Sequence, residues 1–389
     1  MRQRIGGALV LTTVAAMTFG CSNNVDGPGA SDSGPFKLGV VLEVTGAAAS
    51  IGVGERNAVE LAVDRVNAEG GVNGRQVKAI ILDAQSREDQ AAKYASQLVD
   101  QDRVHVLIGS TRSGPSLAMR PIAERAGVPM ISLAAAERVI KDSRWVFKTP
   151  PSDRVVVAQL ADFLAAQGYR RVGLLRDSSA FGEGVREELD SAGKAKGITV
   201  VAEEKFDPTA TQFSGELVRL RAADAQANII WGSAAAPALA TKAYRELGIT
   251  APLLSSYGVA SASFLSTAGA AADGMVLNGN KVLVYDQLAA DDPQRAPIAA
   301  FVEAYRAKFG APPSPFAGYA WDAVLLAVDA AKRGGTQPEQ IRQQLETSTD
   351  YVGVTGAFTF SAAEHSGLPV SPLVLLDVRA GAFVLRRSS

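Results

Sequence analysis

Val104–Ala136, VHVLIGSTRSGPSLAMRPIAERAGVPMISLAAA, is the stretch whose reading decides the fold. An apolar run, Val104-His105-Val106-Leu107-Ile108, has the composition of a buried strand. A turn rich in hydroxyls follows, Gly109-Ser110-Thr111-Arg112-Ser113-Gly114, and a helix is expected to open at Pro115 with Ser113 or Gly114 as its N-cap. After Gly127 comes a second strand, Val128–Ser132, and then a turn of small residues, Leu133–Ala136. Two turns at the carboxyl ends of neighbouring strands, one of them opening a helix, offer unpaired N–H groups and the positive end of a helix dipole. The pattern suits the carboxylate of a small molecule. It also suits an ordinary β-α-β unit that happens to carry serine in its turns.

The surroundings repeat this unit. Phe36–Leu42 reads as a strand, and a helix follows with Val59, Ala62, Val63 and Val66 on one face. Val77–Leu82 is a second strand, and Arg87–Asp100 a helix with Ala91, Ala95 and Leu98 together. Strands separated by helices imply right-handed crossovers and a parallel sheet. The pattern pauses at Pro150-Pro151 and restarts. Strands are expected at Val172–Arg176, Ile198–Glu204, Ala227–Trp231 and Pro252–Ser255, with helices between them. The last third differs, with a short strand at Met275–Leu277, helices at Ile298–Phe309, Gly318–Arg333 and Gln337–Ser348, and a strand pair within Val370–Leu385. The fold class is therefore α/β, two Rossmann-like lobes with parallel sheets and a cleft between them.

The 389 residues are enough for two domains, and 47% apolar with 20% charged residues is a globular composition. A formal net charge of −1 gives no reason to expect nucleic acid as a partner. The single cysteine, Cys21, excludes a disulfide within the chain. It follows Arg2, Arg4 and the apolar run Ile5–Phe19, so residues 1–21 read as a secretory signal too short to span a membrane comfortably. Thr18-Phe19-Gly20-Cys21 resembles a bacterial lipobox, with Thr18 where an aliphatic residue is usual, and implies lipidation at Cys21. Residues 22–35 (SNNVDGPGASDSGP) read as a flexible tether, spanning roughly 20 Å. No apolar span of membrane length follows it.

Signs of catalysis are scarce. His105 and His365 are the only histidines, far apart and without a cysteine, so no metal site is expected. GSTRSG is not the G-x-S-x-G nucleophile elbow, and no triphosphate loop is present. No cofactor and no enzyme activity are expected.

Several segments in order carry a family resemblance: Phe36–Val40, Thr45-Gly46, Asn67–Arg75, Val106–Ser110, Gly127–Ser132 and Phe181–Gly184. From Phe36 to Leu385 the chain resembles the leucine/isoleucine/valine-binding type of periplasmic binding protein, which delivers solutes to ABC importers. The resemblance implies a type I fold with three hinge crossovers, here near Pro150–Asp153, Gly274–Asn278 and Tyr351–Val354. It implies one lobe of residues 36–151 with 278–352 and another of 152–277 with 353–389. The implied partners are a small carboxylate ligand, a membrane permease and, through a lipid anchor, the membrane. The implied product is an exported, monomeric lipoprotein facing the periplasm or cell exterior. A ligand-sensing receptor on the same fold and a secreted enzyme are the alternatives.

The resemblance also places a ligand site. The carboxylate-binding serine corresponds to Ser113, in the turn that holds Thr111. The second turn corresponds to Ala134, Ala135 and Ala136, with Ala136 where a threonine is usual. Phe181 takes the place of a covering tyrosine, and Ser233 and Ala234 belong to a small run where the family has a pocket aromatic. Tyr257 stands where an acidic residue pairs with the ligand's α-ammonium, and a tyrosine cannot neutralise that charge at neutral pH. Glu43, Asp177 and Glu183 are the acids that could stand in for it. Trp145 with Lys148, Gly258-Val259-Ala260, His365-Ser366-Gly367 and Gly381-Ala382-Phe383 are similar to members that bind aromatic and aryl keto acids. The expected ligand is a carboxylate with an apolar or aromatic body, and a branched-chain amino acid is the next reading.

Overall fold

A computed structural model describes residues 34–368 and 371–387. The signal sequence, Cys21 and nearly all of the tether lie outside these residues. The body begins with β1 (Phe36–Leu42), α1 (Ala49–Ala68), β2 (Val77–Asp83), α2 (Glu88–Asp100) and β3 (Val106–Gly109). It continues through α3 (Ser113–Ala126), β4 (Met130–Ser132) and β5 (Val146–Lys148). These strands form one parallel sheet in the order β2-β1-β3-β4-β5. Every residue of β3 is buried, as befits a central strand covered by helices on both faces.

The second array runs α4 (Asp153–Ala166), β6 (Arg171–Asp177), α5 (Ala180–Lys194), β7 (Thr199–Phe206) and α6 (Ser214–Ala222). It goes on with β8 (Ala227–Trp231), α7 (Ala236–Glu246), β9 (Leu253–Ser255), α8 (Ala262–Ala268) and β10 (Val276–Gly279). Then follow α9 (Arg295–Phe309), α10 (Pro315–Gly334), α11 (Pro338–Glu346), the small hairpin β11 (Tyr351–Val352) and β12 (Ala357–Phe358), β13 (Val374–Arg379) and β14 (Ala382–Leu385). The second sheet has the order β14-β13-β10-β9-β8-β6-β7. The expected tail strands form, but antiparallel to β10 and to each other, so this sheet is mixed at one edge.

Three differences from the sequence reading matter. First, α3 starts at Ser113 rather than Pro115, and its N-cap is Arg112 in an extended conformation with no side-chain cap. Neither Ser113 nor Gly114 caps it, because the Ser113 hydroxyl is turned away to accept the Ala136 N–H. Pro115 at the third helical position still lacks only a proton that would have gone unpaired. Second, β5 was hidden in the segment where the pattern pauses. It is three residues long, too short for periodicity to register. Third, the passage expected near Tyr351–Val354 comes later. Phe147 packs edge-on against Phe360 and stacks on His365 at 4.1 Å, and the Lys148 N–H donates to the His365 carbonyl. The chain therefore stays on the first sheet through His365. At Leu373 it meets α4, whose Gln159 donates to the Leu373 carbonyl.

Among the helices of the last third, α10 packs along α1, so the polar end of α1 and the start of α10 reach the same rim as the β3 and β4 turns. His105, just ahead of β3, is structural: it is buried beside Phe36, and its Nδ1 accepts the Lys37 N–H.

Candidate ligand-binding cleft

The carboxyl ends of both sheets face a cleft of about 580 Å³, where open α/β sheets place their ligands. The turns after β3 and β4 build one wall, with Ile51 of α1 and Phe316 and Tyr319 of α10 beside them. The turns after β6, β7, β8 and β9 build the other.

The first wall is made by a glycine and a ladder of serines. Gly109 has φ +116°, and a Cβ there would come within 2.0 Å of the Val41 carbonyl oxygen, so only glycine lets the chain leave β3 this way. The Ser116 hydroxyl accepts from the Ser110 N–H and from Ser132, and Ser132 accepts the Ala134 N–H. These hydroxyls hold the two turns together. They do not reach the cleft. Ser113 does, and because its oxygen accepts the Ala136 N–H at 3.3 Å, its own proton is free to be donated. The N–H groups of Ser113, Gly114 and Ala135 have no partner among the described residues. One hydroxyl and three backbone donors thus converge on a site beside a helix start.

Of the remaining expected residues, Ala135 lines the cleft, whereas Ala134 and Ala136 are buried behind it. Thr111 lines the cleft, but its hydroxyl is engaged on the inner side. It accepts the Glu43 N–H and lies 2.6 Å from Glu55, a wholly buried carboxyl. Burial, opposed by the Thr111 hydrogen bond and reinforced by nearby Glu43, pushes Glu55 up to about 8, so it is neutral at pH 7.

Arg112 is the residue that sequence reasoning missed. Its side chain is 22% exposed and lines the cleft, next to the free donors. Nε donates to Glu43 at 2.6 Å, Nη2 donates to the Ser86 carbonyl, and the backbone N–H donates to the other Glu43 oxygen. The signal was present in GSTRSG, where an arginine directly precedes Ser113.

The acids expected as stand-ins for an ammonium partner are all engaged. Glu43 is wholly buried under Arg112. Asp177, raised by burial, accepts from the Ser179 N–H and hydroxyl. Glu183 accepts two hydrogen bonds from Arg176, which hold it below the usual carboxylate range, and one from Lys205. None of the three lines the cleft. The carboxylate that does is Glu88, exposed at the rim and set against Gly114, where a Cβ would meet its Oε1 at 2.2 Å.

The second wall is aromatic. Phe181 meets Tyr257 edge-on at 6.0 Å and tilts against Trp231 at 5.2 Å. Trp231 is wholly buried behind them, a core residue. Tyr257 lines the cleft, as does Ser233; burial pushes the Tyr257 phenol well above its usual range. Ala234 is turned away at φ +62° and does not line it. The described residues hold no group of three or more metal-ligating side chains, and no helix among them is long and apolar enough to cross a membrane.

Comparison with known proteins agrees with this fold. A family model described as periplasmic binding protein matches residues 35–382. The leucine-, isoleucine-, valine-, threonine- and alanine-binding protein of Pseudomonas aeruginosa is 26% identical over 318 residues, 81% of this chain and 83% of that one. An extracellular ligand-binding receptor from Rhodopseudomonas palustris HaA2 superposes with a TM-score of 0.85 at 28% identity, covering 90% of this chain and 99% of that one. The branched-chain amino acid transporter substrate-binding protein LivJ of Streptococcus pneumoniae, solved with isoleucine, gives 0.80 at 28% identity, with 90% and 97% covered.

Proposed function

The chain belongs to the periplasmic binding protein family, and from that premise we propose that it captures a small carboxylate without an α-ammonium for an ABC importer of the branched-chain amino-acid type. The aromatic second wall favours an aryl or aryl keto acid. One observation carries the ligand reading. The cleft sets a guanidinium, Arg112, beside four free donors and offers no buried carboxylate to a cation. An ammonium placed there would lose its water next to a like charge, at a cost of several kcal/mol. The exposed Glu88 favours a second reading, in which an amino acid turns its ammonium toward the rim. The protein is proposed to act as an exported monomer tethered through a lipid at Cys21, which the mass of the mature N-terminal peptide would reveal.

Titration calorimetry separates the two ligand readings. Benzoate, phenylpyruvate and benzoylformate are compared with leucine, valine and phenylalanine. Heat from the amine-free acids alone is the expected result. Binding of leucine or valine alone would assign the amine to Glu88 and overturn the reading.

A further inference from the structure

A buried charge stands behind the first wall of the cleft. Lys148, the last residue of β5, is wholly buried and does not line the cleft. Its Nζ donates to the Ala135 carbonyl at 2.5 Å, Glu137 lies 3.7 Å away, and Asp153 and Glu364 also act on its charge. Taking an ammonium out of water is costly even when it is paired, and an apolar side chain of similar volume often fills such a place as well or better. What the ammonium does that an apolar chain cannot is hold the Ala135 carbonyl.

That carbonyl belongs to the peptide group joining Ala135 to Ala136, and the same group is held at its other end. The Ala136 N–H donates to the Ser113 hydroxyl oxygen at 3.3 Å. Every proton in this line is given in the same direction, from Lys148 to the peptide and from the peptide to Ser113, which leaves the Ser113 proton for the cleft. A lysine ammonium has protons to give and no lone pair to receive one. With the peptide reversed, its N–H would face the ammonium donor to donor, and its oxygen would draw the Ser113 proton back from the cleft. Hydrogen bonds in such a chain also polarise one another, so a charge at the far end strengthens the last donor.

We propose that Lys148 is a positioning residue for the bound anion: from behind the wall it fixes the Ala135–Ala136 peptide and so aims and strengthens the Ser113 proton. This rests on the carboxylate reading of the cleft, and it holds equally for an amine-free acid and for an amino acid.

The test is a double-mutant cycle read by calorimetry, with benzoate and leucine as parallel probes so that either ligand reading supplies a carboxylate. Lys148→Met keeps the volume and removes the charge. It should weaken the bound probe about tenfold in the wild-type background, and about twofold or less in Ser113→Ala, where the serine through which it acts is gone. A loss caused by general damage to the wall would persist in Ser113→Ala. Glu137→Gln breaks the ion pair but keeps the Ala135 hydrogen bond, and should change affinity about twofold or less. If Lys148→Met does not fold, Lys148→Met with Asp153→Asn, which removes the buried acid left behind, takes its place in the cycle with Asp153→Asn as its reference. Unchanged affinity in Lys148→Met, an equal loss in both backgrounds, or a tenfold loss in Glu137→Gln would overturn the role of Lys148 while the carboxylate reading stands. Unchanged affinity in Ser113→Ala, or no binding of either probe, would remove the carboxylate reading and the role of Lys148 with it.

Discussion

The two helix starts that face each other across the cleft begin from similar sequence and end differently. At α5, Ser179 caps the helix: its hydroxyl accepts the Gly182 N–H and donates to Asp177, which braces the turn. That helix start is closed by its own side chains. At α3 the N-cap is Arg112, and the nearby Ser113 hydroxyl serves the neighbouring turn at Ala136 instead. The donors of α3 are left open toward the cleft. The difference separates anchoring from packing. In the proposed reading the open helix start, with a guanidinium beside it, fixes an anion at one place. The closed one supports Phe181 and Tyr257, which offer area and edge contacts but no charge.

The largest way to break this contrast is Arg112→Ala. It would leave Glu43, 0% exposed, without its counter-ion. Removing one partner of a buried pair costs about 3–5 kcal/mol. Urea unfolding should show a loss of that order, and Arg112→Ala with Glu43→Gln should recover most of it. A single variant as stable as wild type would mean that the first wall is not held by this pair. A matched pair of serine variants sharpens the comparison at a smaller scale. Ser113→Ala should weaken a carboxylate such as benzoate by about 1.5–3 kcal/mol, the range for a hydrogen bond to a charged group. Ser179→Ala should instead lower the stability of the free protein by about 1 kcal/mol, the usual cost of a lost N-cap. If the two variants exchanged their effects, the open and closed helix starts would have been assigned the wrong way round.

Much of this architecture was readable in the chain. The buried residues of α2 are those that helical spacing selected, α1 buries Val59, Ala62 and Val66 while leaving Val63 half-buried, and the strand, turn, helix, strand order of the focal stretch is the order observed. What escaped the sequence was decided by contacts between distant segments. Ser113 looked like a cap, but Ala136 competes for its hydroxyl from 23 residues away. β5 is held by pairing with β4 and by Phe360 and His365 from the far end of the chain. The same limit applies in the cleft. Tyr319 and Arg112 lie in stretches already read as a helix and a turn, and residue type alone did not reveal which side chains turn inward. Glu43, Asp177 and Glu183 were reasonable stand-ins from position, but pairing with Arg112, Ser179 and Arg176 removes them.

The smallest expected effect is on pH dependence, and it probes the layer behind the first wall. Glu55 is raised from 4.5 to about 8, chiefly by burial. A carboxyl whose pKa is higher in the folded state binds its proton more tightly there. Its contribution to stability is complete below pH 4.5 and is lost as the pH rises through about 8. Asp153 and Asp322, each raised to about 7 by burial, have the same sign and lose theirs through about 7. His365, lowered by burial, has the opposite sign, so its contribution is lost as the pH falls through its depressed pKa. The melting temperature of the free protein should therefore fall from about pH 4.5 to about 8 and level off above it, with Glu55 alone carrying the fall above about pH 7. Binding should weaken in parallel. The Thr111 hydroxyl donates to Glu55 at 2.6 Å. Once ionised, Glu55 holds that proton more strongly and sets a second negative charge beside Glu43, behind the donors that line the cleft. Glu55→Gln keeps the shape and the Thr111 contact but cannot ionise. It should flatten the melting curve between about pH 7 and 8 and the binding curve around pH 8, changing benzoate affinity there by a few-fold at most. A Glu55→Gln variant with the wild-type slope would show that the carboxyl is not coupled to the cleft, and that the open wall ends at Thr111.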